Sequence, residues 1–320
     1  MDRLDAMKVF VATLDEGSLS GAGRVLKRSP AAVSRAIAFL EAHVGAALLH
    51  RTTRAMRLTE AGERYALACR RILADVDEAD LLAAGGRAAP HGVLTLSAPP
   101  ISGEEILRPI VDSFLEAYPS VSVRLLLLNR HVNLVEEGVD VALRVGDLPD
   151  SSLVAVKIGG DVRRVVAAAP SYLARHPPIE RPADLAQHQV VAMSNFGVDR
   201  WVFPAAAGSA VPRTVSFTPR IVVNSVRAAV ASTVAGLGVT RLYSYHLADH
   251  VRDGSLRIVL AEAEYPPLPV HLVAQPGRMP ASKVRAFLDF AAPPLKNAFR
   301  GLAEDARQFQ PPTASAAVQA

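Results

Sequence analysis

The chain has 320 residues, half of them hydrophobic, with 35 Lys and Arg against 31 Asp and Glu, a net charge of +4. Such a length fills two or three domain cores, and no uncharged apolar run approaches the roughly 18 residues that a membrane span requires. The single cysteine, Cys69, excludes an intramolecular disulfide and fits a reducing cytoplasm, as does the start MDRLDAMKVF, whose mixed charges leave no signal-peptide core.

A first helix is expected over 2–16, with Leu4, Met7, Val11 and Leu14 on one face and Gly17 as its end. The stretch GSLSGAGRVLKRSPAAVSR (17–35) then reads as two short helices joined by a tight basic turn. Ser18 or Ser20 can cap the first. Ser29 can cap the second, where Pro30 at the first helical position loses nothing by lacking an N–H. Val33, Ile37, Leu40 and Val44 form an apolar stripe on this second helix, and Gly45 ends it. Its other face presents Ala31, Ser34, Arg35 and Ala38, small enough for a DNA major groove and with one guanidinium able to read guanine. An ordinary helical hairpin is the alternative on this stretch alone. LLHRTTRAMRL (48–58) suits a small β-hairpin with Arg54 near its tip, a basic wing of the kind that enters a minor groove. Between residues 20 and 58 lie seven bases and one acid, Glu41, so a net +6 is concentrated on a chain that is otherwise close to neutral.

Thr59 is placed to cap a long helix with Glu60 and Glu63 in its first turn. On it Tyr65, Cys69, Ile72, Val76, Ala79 and Ala83 step by three and four residues, the spacing of a coiled-coil seam. Dimerisation through that seam is expected; packing against the helix's own domain is the alternative. Cys69 reads as a buried structural thiol, since nothing beside it resembles the resolving partner of a redox sensor. GGRAAPHG (85–92) breaks the helix as a hinge.

The texture then changes. Strands are expected at 93–98, 121–128, 139–145, 163–169, 190–194, 213–217, 219–223, 255–260 and 269–274, with another after Gly238. Helices are expected at 103–118, 133–137, 170–175, 225–235, 243–250 and 282–295. Such alternation implies βαβ units and a mostly parallel sheet, and the Pro, Gln and Ala of the tail imply disorder. His246 and His250 share a helix face but Asp249 lies off it, so no metal site is expected. Gly236-Leu-Gly238 ends a helix and enters a strand, the reverse of a dinucleotide loop. With no nucleophile elbow and no phosphate-cradling loop, neither catalytic residues nor a cofactor are expected.

Residues 1–62 resemble the N-terminal domain of LysR-type transcriptional regulators almost without gaps: SPAAVSRAIAFLE matches the family's recognition helix and LLHRTTRAMRLTEAG its wing. The resemblance continues through LTLSAPPISG, VNLVEEGVDVALRVGDLPDSSLVAVKIG and VAGLGVTRLYSYHLADHVRDGSLRIVL. It implies a winged helix-turn-helix (1–58), a dimerising linker helix (59–86), a hinge (87–92), a two-lobed periplasmic-binding-protein-like α/β effector domain (93–300) and a disordered tail (301–320). One lobe would hold 91–167 and 270–296, the other 168–268, with crossings near 166–170 and 266–271. Ser34 and Arg35 match the recognition helix and Arg54 the wing; Ser29, Pro30, Ala31, Arg51 and Arg57 complete the implied DNA-binding set. The family often has Gln where this chain has Pro30 and Ala36. The implied effector cleft takes Ser97, Pro99, Ser102, Asn129, Arg144 and Gly146 from the first lobe and Ser194, Asn195, Asn224 and Ser225 from the second. The partners implied are double-stranded DNA, a small anionic effector, a second copy in a dimer or tetramer, and RNA polymerase. Two other readings stay open at this point: a sequence-tolerant architectural DNA binder, and an enzyme or solute-binding domain with an appended helical module.

Overall fold

The computed structural model describes residues 2–51, 56–83, 89–130, 132–148, 153–206, 208–276 and 281–308. The chain divides into two compact units, Met1–Leu94 with Ser120–Ser122 and Pro280–Lys283, and the remainder. Among the described residues no helix is long and apolar enough to cross a membrane.

The first unit contains α1 (Arg3–Asp15), α2 (Leu19–Val25), α3 (Pro30–Val44), the strands β1 (Leu49–Arg51) and β2 (Met56–Leu58), and α4 (Glu60–Ala83). Each helix starts where a side chain can accept the orphan N–H groups of its first turn. Asp2 accepts from Leu4 and Asp5, Ser18 from Gly21, and Ser29 from Ala32. Thr59 accepts from Gly62 while its own hydroxyl donates to the Ala47 carbonyl. Gly45 closes α3 with φ +72, a conformation open to glycine at little cost. Gly23 allows the basic turn to fold back, because a Cβ there would stand 2.6 Å from the Arg28 carbonyl oxygen. Phe10, Ala22, Val33, Ile37, Leu40, Leu48 and Cys69 are almost wholly buried and form one core. The strands pair antiparallel, Leu49 opposite Leu58 and Arg51 opposite Met56, and the loop carrying Arg54 lies outside the described residues.

The second unit has two five-stranded sheets. The first takes β3 (Gly92–Ala98), β4 (Val121–Leu127), β5 (Val141–Val145), β6 (Val154–Val162) and, from far along the chain, β14 (Leu268–Ala274), in the order β4-β3-β5-β14-β6. The second takes β7 (Arg164–Ala168), β8 (Val190–Met193), β11 (Pro219–Val223), β12 (Val239–Tyr243) and β13 (Arg257–Val259), in the order β11-β8-β12-β7-β13. A hairpin, β9 (Arg200–Phe203) with β10 (Arg213–Ser216), accompanies it. The helices are α5 (Pro100–Ser102), which passes through a π-helical turn at Gly103–Leu107 into α6 (Arg108–Ala117), then α7 (Pro170–Leu173), α8 (Val226–Val234), α9 (Ala248–Arg252) and α10 (Ser282–Gln308).

Several expectations are corrected. The sheets are mixed: β8 is parallel to β11 and β12, and β3 to β5, but β7 lies antiparallel between β12 and β13, and β14 antiparallel between β5 and β6. Each strand that returns from the other lobe enters against its neighbours' direction. The first crossing is therefore at Arg163, and 164–167 belong to the second lobe; the second crossing falls at 264–267, just ahead of β14. The segment 133–137 is a turn, not a helix. The closing helix runs through Pro293 and Pro294 to Gln308, into the residues expected to open the tail, because Val284, Phe287, Ala291, Leu295, Phe299 and Ala303 keep one apolar face buried. Of the expected hinge, 87 and 88 lie outside the described residues and Gly92 opens β3 with φ +85.

Candidate functional site

In the first unit α3 sorts its residues as the spacing requires. Val33, Ala36, Ile37 and Leu40 are fully buried, while Pro30, Ala31, Arg35 and Ala38 are exposed and Ser34 is half-buried. Ser29 is exposed but its hydroxyl is occupied as the helix cap. Arg35 has no ion-pair partner among the described residues. Arg28 does: both arms of its guanidinium bond the Asp5 carboxylate, at 2.8 and 2.6 Å, which holds that carboxyl below its ordinary range. Glu41, the one acid of the basic segment, faces inward. Its Oε1 accepts from the N–H groups of Leu48 and Leu49, at 2.9 and 3.2 Å, and so ties β1 to α3. Arg57 is exposed on β2; the side chains of Arg51 and Arg54 lie outside the described residues.

The seam expected on α4 divides. Cys69 is fully buried in the first unit's core, Tyr65 and Ile72 pack against it, and the Tyr65 ring lies 6.1 Å from that of Phe10. Those three positions are occupied within their own domain. Val76 is half-exposed, Ala79 is exposed, and the Ala83 side chain lies outside the described residues. Burial pushes the Cys69 thiol up to about 11, far from a reactive thiolate.

In the second unit a cleft of about 1160 Å³ lies between the two sheets' loops. Six of the ten expected effector residues line it: Pro99, Asn129, Arg144, Gly146, Ser194 and Asn195. The other four do not. Ser97 and Ser102 are completely buried behind it, the Ser225 hydroxyl caps α8, and Asn224 instead offers its carbonyl to Asn129. That bond, Asn129 Nδ2 to Asn224 O at 2.7 Å, joins the lobes, as does a longer one from Asn195 Nδ2 to Asn129 O at 3.4 Å. Arg227 of α8 adds a salt bridge across to Glu104 and Glu105, at 2.8 and 3.0 Å. At the crossings themselves Arg163 pairs with Glu264 through two 2.7 Å bonds, with the two side chains only 9% and 11% exposed.

Sequence reasoning missed the cleft's aromatic wall and two of its cations, Arg130 and Arg164. Phe196, Tyr243, Tyr245, His246 and Tyr265 line it together with Arg164. They sit in turns and at strand ends far apart in sequence, where no local pattern marks them. Burial drives the His246 imidazole down to about 3, so it stands neutral. Behind the cleft Arg241 is buried, with no carboxylate partner among the described residues. It bonds the carbonyls of Val202 and Phe196, at 2.9 and 3.1 Å, and lies over the Trp201 ring; burial and then the nearby Arg164 lower it to about 9. The chain thereby holds Phe196 in place with a charged donor.

Comparison with known proteins gives both halves a kinship. Residues 87–294 match the LysR substrate binding domain and residues 4–63 the bacterial regulatory helix-turn-helix of the lysR family. An HTH-type transcriptional regulator of Xanthomonas campestris pv. campestris is 34% identical over 88% of this chain and 82% of its own. The regulator CrgA of Neisseria meningitidis serogroup B is 32% identical over 92% and 97%. Its solved structure, described as a LysR-type transcriptional regulator, superposes with a TM-score of 0.56 over 91% of this chain and 98% of that one at 30% identity. The full-length Vibrio cholerae virulence activator AphB gives 0.57 over the same shares at 29% identity. These relatives are regulators, not enzymes. A helix-turn-helix unit followed by a two-lobed substrate-binding-type unit, matched along nearly its whole length, makes this chain a member of the LysR family of transcriptional regulators, with a DNA-binding and an effector-binding domain.

Proposed function

We propose that the protein works in the cytoplasm as a homodimer that contacts DNA through the exposed face of α3 and the wing, and that it responds to a small anion taken into the interlobe cleft. Ser29, Pro30, Ala31, Ser34 and Arg35 meet the major groove, with Arg51, Arg54 and Arg57 on the flanking groove and backbone. The α4 helix beyond Leu73 meets its counterpart in a second copy, dimers can pair to tetramers, and RNA polymerase is the partner at a promoter.

The observation that carries the DNA-binding assignment is the segregation on α3: bulky apolar residues inward, small residues and Arg35 outward, with the segment's one acid turned away from the surface. A solvated face of no function has no reason to exclude both bulk and negative charge. Arg35→Ala is expected to cost about 1–3 kcal/mol on the cognate site and much less on scrambled DNA. Footprinting upstream of the protein's own gene supplies the site, and titrations at several salt concentrations read the difference. Equal losses on both duplexes would reduce Arg35 to a phosphate contact, and no loss on either would refute the placement of the DNA-binding face.

A further inference from the structure

Aromatic residues make up 5% of this chain, yet three of its six tyrosines, Tyr243, Tyr245 and Tyr265, line one cleft with Phe196. Phe196 and Tyr243 meet edge to face, centroids 5.0 Å apart and planes at 88°, the arrangement aromatic pairs prefer. Over both rings lies the Arg164 guanidinium, 5.5 Å from the Phe196 centroid and 5.8 Å from that of Tyr243.

The cations of the cleft are not equivalent. Arg130 is engaged twice by the Glu137 carboxylate, at 2.7 and 2.6 Å, and Arg144 reaches the Val132 carbonyl at 3.4 Å. Arg164 has no carboxylate or carbonyl partner among the described residues, and its Nε is buried without a hydrogen bond. His246 Nδ1 is likewise buried and unpartnered on this lining. A guanidinium nitrogen buried without a partner is costly, and a ligand carboxylate that engages the guanidinium with two parallel bonds relieves that cost. The one acid of the lining, Asp147, is exposed.

We propose that the anion this cleft receives is an aromatic monocarboxylate, its carboxylate paired with Arg164 and its ring laid among the rings that flank that arginine. This deepens the assignment of the cleft as the effector site and rests on it. Arg164, the lining cation with neither a carboxylate nor a carbonyl partner among the described residues, calls for a full negative charge. Clustered rings and prolines (Pro99, Pro266 and Pro267) call for a flat apolar body.

Calorimetry and thermal shift on the full chain, with benzoate and 2-naphthoate as probes, test it. Both should bind, the larger ring more tightly, while acetate and sulfate, which lack the ring, and benzamide, which lacks the charge, should bind at least about tenfold more weakly. Cyclohexanecarboxylate should trail benzoate by about threefold or more, the share due to ring–ring contact. Arg164→Gln should cost at least about tenfold, and Arg164→Lys, which keeps the charge but not the fork, should fall between; their melting temperatures without ligand report folding independently. Arg164-dependent binding of acetate or sulfate with no preference for rings would overturn the aromatic inference and leave the cleft assignment standing. Ring carboxylates that bind both Arg164 variants as tightly as the wild type would overturn the pairing with Arg164 and with it the proposal. Failure of every ring carboxylate to bind at ten-millimolar concentration would overturn the proposal.

Discussion

His246 shows what burial does to a single titratable group in this molecule. With its pKa moved from 6.5 to about 3 by desolvation, the folded chain refuses a proton that the unfolded chain accepts. Between those two values the unfolded state binds more protons, so stability falls as pH is lowered through 6.5 toward 3. His188, its ring 5.8 Å from that of Tyr172 and its pKa lowered by burial and then by His176, acts in the same direction. Urea midpoints followed by the fluorescence of Trp201, the chain's one tryptophan and only 1% exposed in the second lobe, should drop from pH 7.5 to pH 5. In His246→Gln the drop should be smaller, and a wild type equally stable at both pH values would overturn the account. Arginines show the opposite lesson, since position decides their use. Arg28 is held by Asp5 within the domain core's rim, Arg241 supports the Phe196 backbone, and only exposed or unpaired ones such as Arg35 and Arg164 remain for a ligand.

Elements joined at the crossings carry the next level of organisation. The Arg163–Glu264 pair ties the link from β6 to β7 to the segment leading into β14, the two places where the chain passes between lobes. Because both groups are nearly buried, removing one strands the other's charge, whereas replacing both with apolar groups does not. Arg163→Ala or Glu264→Ala alone should therefore lower apparent stability by about 3–5 kcal/mol in urea titrations of the full chain, and Arg163→Met with Glu264→Leu should recover most of that. Single variants costing less than about 1 kcal/mol would show that the pair is dispensable. Sequence made the helix-turn-helix legible because its signals are local: Ser18, Ser29, Gly45 and Thr59 act within three or four residues of where they sit. It hid β6, which is absent from the expected strands. At Gly159 the missing side chain makes room for α10, with Phe299 Cβ only 3.2 Å from where a Cβ would stand. It placed the lobe boundary inside β7 because Val154–Val162 and Arg164–Ala168 are almost continuous strand, and only pairing with β12 and β13 assigns the second piece to the other sheet. Part of the cleft was readable from strand ends; its aromatic wall was not, since Phe196, Tyr243 and Tyr265 converge only in the folded chain.

At the scale of the whole molecule, the 3–4 spacing on α4 from Tyr65 to Ala83 divides into two parts. The first turns are spent inside the domain, where Tyr65, Cys69 and Ile72 join α1 in one core. The later turns, with Val76 half-exposed and Ala79 exposed, are the part that the proposed dimer would use. Charge at Ile72 would therefore damage the DNA-binding domain whether or not it disturbed a dimer, and the test belongs one turn further on. Val76→Glu sets two carboxylates against each other across a two-fold contact while sparing that core. Light scattering of the full chain should give a dimer mass or a multiple of it for the wild type and a lower mass for Val76→Glu. Far-ultraviolet circular dichroism should stay unchanged. DNA affinity should fall with it, because two half-sites bound by one dimer gain from effective concentration and a monomer does not. That loss should be large on a two-half-site operator and small on an isolated half-site. A wild type that is monomeric, or a Val76→Glu variant with unaltered mass, would overturn the assignment of this helix to dimerisation.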